Sequence, residues 1–398
     1  MKSGRLLPLI ALAMSACGRL RYEPREAGAR DASTDAGLPE STCGGTCLQP
    51  STPVSAFGTS PLLSDVGNPL SLASDGRTLF GALTEGAAAP FALHLIAFGA
   101  AGERAFDVPL DLSVSANDHA LAVLPSGLAV GYVRTTGTAT IETRLGLRSA
   151  TTGAMLESVA IDTRTSAIRG LFAGTDGLGV TWLRGTVGAP TASFFLLRDN
   201  ALMPIGMTTT LPVDVIPSSV AQVGTQWFVG AAGMTTMQAR VIRVSDGLTT
   251  ELPAWPAACG RSAGAVITPG CSGALVCWRD TATCGLTSQV VDRCALLTES
   301  GELGGPVVLH GGAHPGQADV YGLDVTWTGS EFWVHSEFAD GEGFAVFDRF
   351  GARQIESMDG SSMSLGAKGD VAWANGCAVA LTNRGGLRAR RACARMCP

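Results

Sequence analysis

Short apolar runs broken by tight polar turns recur along the chain from about residue 70 onward. The segments "LSLASDGRTLFGAL", "HALAVLPSGLAVGYVR", "RGLFAGTDGLGVTWLR", "SSVAQVGTQWFVGAA", "SAGAVITPGCSGALVCWRD", "GLDVTWTGSEFWVHSE" and "MSLGAKGDVAWANG" each join two apolar stretches through a turn. The turn glycines are read as Gly76, Gly127, Gly177, Gly224, Gly273, Gly329 and Gly369, a repeat of roughly fifty residues. A second hairpin follows each, with turns near Gly102, Gly153, Asn200, Gly247, Gly301, Gly351 and Gly386. Runs this short, bounded by Gly, Asp, Asn and Ser, predict strands. No long stretch carries the 3.6-residue period of an amphipathic helix.

Two hairpins per unit make four strands, and seven such units around an axis describe an all-β chain folded as a seven-bladed β-propeller, spanning 54–398. First strands rich in Gly, Ala and Ser suit a crowded innermost position. Second strands carry Trp182, Trp227, Trp278, Trp333 and Trp373, expected to pack between blades rather than to stack on sugars. "SDGRTLF" (74–80) resembles the turn of TolB-type and WD40-like propeller repeats. The last unit is expected to finish its outer strand near Cys393, with no blade shared between the two ends of the chain.

Ahead of the repeats, Lys2 and Arg5 precede an apolar run from Leu6 to Ala16, too short to span a bilayer. Met14, Ser15, Ala16 and Cys17 resemble a bacterial lipobox. That resemblance implies a signal peptide over 1–16 and a mature chain that begins at an acylated Cys17. Several acyl chains on one residue exceed the marginal membrane binding of a single chain. Gly18, rather than aspartate, resembles the sorting signal of outer-membrane lipoproteins, which places the protein at the cell envelope of a Gram-negative bacterium. The segment 17–53, poor in large apolar residues, reads as a flexible tether.

Setting Cys17 aside leaves ten of the eleven cysteines, an even set as expected for disulfides in an oxidising compartment. They are Cys43, Cys47, Cys259, Cys271, Cys277, Cys284, Cys294, Cys377, Cys393 and Cys397. A bridge from "CGGTC" (43–47) to "CARMC" (393–397) would tie the ends of the ring; local bridges Cys377–Cys393 and Cys277–Cys284 compete with it. A zinc site among Cys259–Cys294 lacks paired CxxC knuckles. The formal charge of −6 gives no electrostatic reason to expect nucleic acid.

Loops from second to third strands, and from one unit to the next, share one face of such a ring, where function concentrates. They hold Asn117, Asp118 and His119; Asp162 and Arg164; Asp214; and, in "HGGAHPGQADVYG", His310, His314 and Asp319. The histidines and Asp319 are candidates for metal ligation or proton transfer. Arg134, Arg184 and Arg279, with His335 at the corresponding place, end their strands alike. They either converge on an anionic ligand or pair with carboxylates of neighbouring blades. No GxSxG, P-loop, HExxH or EF-hand pattern occurs. The sequence therefore points to a lipid-anchored, monomeric propeller without cofactor, binding a protein, peptide or glycan. The alternative is an envelope hydrolase or lyase acting on an extracellular polymer.

Overall fold

The computed structural model describes residues 71–85, 91–99, 103–113, 119–136, 140–164, 166–186, 189–234, 238–253, 260–284, 287–310, 312–315, 322–338, 341–359, 370–383 and 387–393. All belong to the unit Leu38–Pro398. Every regular element among them is a strand, and within each blade successive strands pair antiparallel, except that His314–Pro315 adds to the third strand of blade 5 at Gln289 and Val290. Blades 1 and 2 are linked into one sheet by a single pairing, Ser113 with Arg134. Blades 3 to 7 are separate sheets.

The innermost strands are Ser71–Ser74, His119–Leu124, Ser166–Gly174, Val215–Val223, Gly260–Pro269, Leu323–Trp327 and Asp370–Ala374. Each touches the next, and the last touches the first, so the ring closes at seven. The hydrophobic core repeats this order, with one buried cluster between each pair of neighbouring blades. At the closing seam, Leu79, Leu83, Ile96 and Phe98 of blade 1 pack on Ala372, Ala374 and Val379 of blade 7. A parallel bridge joins Gly76 to Ala374 there, and Asn375 N donates to Gly76 O at 2.9 Å.

Small inner-strand residues have two uses. They permit close approach: a Cβ on Gly174 would overlap Gln222 and the Trp227 ring of the next blade. Their hydroxyls also bridge inner strands. Ser71 Oγ donates to His119 O at 3.0 Å, Ser219 Oγ to Ala265 O at 2.7 Å and Thr268 Oγ1 to Val325 O at 2.9 Å. The third-to-fourth-strand turns of blades 3 and 6 share a polar cap, since Asp199 Oδ1 accepts from Met203 N at 2.8 Å and Asp348 Oδ1 from Ala352 N at 2.9 Å.

Three readings of the sequence are corrected. The inner hairpin of blade 7 turns at Asn375–Gly376, both in left-handed backbone, and not at Gly369, which lies outside the described residues. The unit therefore shifts by one strand: Trp373 sits on the innermost strand, and the turn near Gly386 joins second to third strand. Leu387–Cys393 is then the third strand of blade 7, and three strands of that blade are among the described residues. Cys277 bonds to Cys294, its partner across the ladder, rather than to Cys284. Cys271 and Cys377 are also disulfide-bonded, and Cys377 lies opposite Cys393 in backbone register. Cys17, Cys43, Cys47, Cys259 and Cys397 lie outside the described residues.

Candidate functional site

The ends of the second strands are where the sequence placed its candidate ligand groups, and cross-strand register decides their environment. Arg134 faces Glu142 on the third strand of blade 2 and donates from Nε to Oε2 at 2.9 Å. Burial works to raise the Glu142 carboxyl, but hydrogen bonds from Arg144 and Arg134 outweigh it and hold it below the usual range. Arg279 faces Asp292 in the same way in blade 5, Nε to Oδ1 and Nη2 to Oδ2 both at 2.6 Å. Arg184 has Ala192 opposite, so it reaches back to Asp162 of blade 2, with Nε and Nη2 at 3.0 and 2.7 Å from Oδ2. Asp162 also accepts from Trp182 Nε1 at 3.3 Å and from Arg164 N at 3.0 Å. His335 lies opposite Phe344, fully buried, with the ring centroids 4.9 Å apart.

The densest polar group forms at the seam of blades 5 and 6. Around Phe338 gather the Arg279 guanidinium at 4.9 Å, the His314 ring stacked at 4.2 Å and the His310 ring edge-on at 5.5 Å. His310 has a left-handed backbone (φ 52), costly for a residue with a Cβ. Its amide donates to Glu356 of blade 6, while its Nδ1 lies 3.5 Å from Glu356 Oε1. Neither ring nitrogen makes a hydrogen bond. Burial pushes its pKa down to about 4, so the imidazole is neutral at pH 7. His314 Nε2 donates to His310 O at 2.8 Å. A carbonyl only accepts, so His314 carries its proton on Nε2 and that nitrogen is committed.

His310 and His314 are thus brought together by a backbone contact rather than as two open ligands. Among the described residues, no three His, Cys, Asp or Glu side chains gather as a metal cage. Asn117, Asp118 and Asp319 lie outside the described residues. His119 is buried, its Nδ1 3.0 Å from Ser71 Oγ, whose hydroxyl proton goes to His119 O. Asp214 lies in a left-handed turn, 4.0 Å from Arg240.

Sequence reasoning missed Asp292, Glu142, Glu356 and Phe338, whose roles depend on register and on blade contacts. It also missed Asp324, opposite His335, which accepts from Val371 N of blade 7 at 2.9 Å. Burial pushes the Asp324 carboxyl up to about 6.

No family model and no curated protein matches the chain. Solved structures do. The β-propeller domain of Nup133 from Vanderwaltozyma polyspora superposes with a TM-score of 0.52 at 8% identity, over 87% of this chain and 99% of that one. The Cps50 (Swd1) propeller domain of Myceliophteria thermophila gives 0.46 at 9% identity, over 85% and 99%. The propeller domain of the Trilobed protease from Pyrococcus furiosus gives 0.45 at 11% identity, over 82% and 93%. At such identities likeness speaks of fold alone. The chain is a β-propeller.

Proposed function

We propose that the chain is a lipid-anchored propeller of the cell envelope that serves as a binding or scaffold module for a protein, peptide or glycan. The observation that carries the binding reading is the pairing of Arg134, Arg184 and Arg279 with carboxylates. Those cations stiffen the blades, which leaves recognition to connectors held on a rigid ring. The anchor rests on the lipobox-like residues Met14–Cys17. The hydrolase reading leans on His310, whose strained backbone and unbonded ring resemble catalytic features. Its side chain is wholly sealed from solvent, however, and a general base must reach a substrate proton.

The test has two arms. Labelling with a palmitate analogue should mark the wild-type chain and not Cys17→Ala; equal labelling overturns the anchor. A photo-crosslinking residue at Thr163, in a connector between blades, should give a discrete adduct in intact cells, and one at Asp246, in an opposite-end turn, should not. No adduct at Thr163, or the same adduct at both positions, overturns connector-borne recognition.

A further inference from the structure

The outermost strand of blade 3, Pro204–Thr210, differs from its counterparts. It is exposed at six of seven positions and carries no charge. The surrounding stretch from Asn200 to Val213 has none either. Met203, Ile205, Met207 and Val213 stand 59, 42, 91 and 94% exposed, four of the nine large apolar side chains that are exposed among the described residues. Exposed apolar side chains clustered in this way mark contact surfaces. The ladder loses register between Phe195 and Leu197, so the segment 206–208 bulges and thrusts Met207 outward.

Charge selects the occupant. The other outer strands of three or more residues are Arg104–Ser113, Met155–Asp162, Thr249–Glu251 and Arg353–Asp359, and each contains at least one carboxylate. In a two-fold contact a strand meets its own copy, so a carboxylate near the axis, such as Glu356 in Arg353–Asp359, would face its own counterpart. Each copy carries a formal charge of −6, so repulsion between copies is least where a contact surface carries no charge. Blade 3 offers such a surface, and an identical copy supplies its uncharged complement.

We propose that two copies of the chain associate through the outer edge of blade 3, with Met203, Ile205, Met207 and Val213 meeting the same residues across a two-fold axis. This departs from the monomer that the sequence suggests, and it is independent of ligand recognition by the connectors. Because the bulge interrupts the edge, the contact is between side chains and closes at two. A patch of four side chains lies at the low end of specific interface sizes, so the dimer is weak and governed by concentration.

Sedimentation equilibrium tests this on the full chain carrying Cys17→Ala, which removes association driven by acyl chains. From about 1 to 200 μM the mass should climb from one copy toward two, with no covalent dimer on a non-reducing gel. Met207→Lys, at a side chain too exposed to matter for folding, should weaken association at least about tenfold. Phe350→Lys, at another exposed apolar site, on blade 6, should leave it unchanged. A wild-type chain monomeric throughout, assembly beyond two copies, a covalent dimer, undiminished association of Met207→Lys, or equal weakening by Phe350→Lys overturns the proposal.

Discussion

Arg279 and Asp292 face each other across two strands of blade 5 with both bidentate bonds at 2.6 Å and less than 3% of either side chain exposed. The Cys277–Cys294 disulfide is the next rung on the same side of that ladder. A covalent rung and an ionic rung together hold the hairpin that blade 6 packs against through Phe332, Val334 and Phe338.

Breaking the ionic rung should expose the cost of an unpaired buried charge. Asp292→Asn or Arg279→Met alone should destabilise by about 3–5 kcal/mol in urea unfolding. The double variant Arg279→Met with Asp292→Leu should lose much less, because an apolar pair of similar volume leaves no stranded charge. A double variant no better than the worse single one would show that shape, rather than charge, dominates the seam.

The covalent rung closes a loop whose ends are 17 residues apart. Its removal by Cys277→Ala with Cys294→Ala should cost about 3 kcal/mol through the entropy of the unfolded chain. Non-reducing peptide mapping checks the pairing directly, and a Cys277–Cys284 peptide would contradict the structure.

The sequence reveals the blades because hairpin turns demand particular residues: Gly127 and Gly177 have positive φ, and a Cβ on either would strike the third-strand carbonyl of Arg148 or Arg198. Blade 7 misleads because "GAKG" resembles that turn. The Asn375–Gly376 pair that makes it sits one strand later and restores the roughly fifty-residue step. The pairing of Arg134 and Arg279 follows from register, which is invisible until strands are aligned residue by residue. Arg184, lacking a carboxylate opposite, is satisfied from another blade, and no local pattern announces such a partner. Exposure of Met207 is likewise a consequence of a bulge, not of composition.

Two titratable groups, buried His310 and half-buried Asp324, should give opposite pH dependences. His310 has its pKa lowered to about 4 in the fold against about 6.5 when unfolded. The unfolded chain therefore binds the extra proton between those values, and stability contributed by neutral His310 is lost as pH falls from 6.5 to 4. Asp324 is raised from 3.8 to about 6, so here the folded chain binds the extra proton. Its contribution is present below pH 4 and lost as pH rises through 6. Each slope is at most about 1.4 kcal/mol per pH unit, and between 4 and 6 they oppose. Urea midpoints against pH should therefore decline with acidification in Asp324→Asn and rise in His310→Asn, relative to wild type. Parallel profiles in the two variants would refute the assignment of these groups.

The closing seam includes one residue in an unfavourable backbone state. Asn375 adopts φ 51, its amide donates to Gly76 O at 2.9 Å, and its side-chain Nδ2 donates to Arg77 O. Asparagine tolerates the left-handed region because its short polar side chain bonds locally. Asn375→Ala loses the side-chain bond and keeps a Cβ in that region, and should cost about 1–2 kcal/mol. Asn375→Gly loses the same bond but relieves the backbone, so it should cost less. Since the bond joins blade 7 to blade 1, the loss should appear first as faster amide exchange in Asp370–Ala374 and Ser71–Ser74, before the remaining blades respond. Exchange that accelerates evenly around the ring would mean that the blades open as one cooperative unit, and that Asn375 supports the whole rather than the seam.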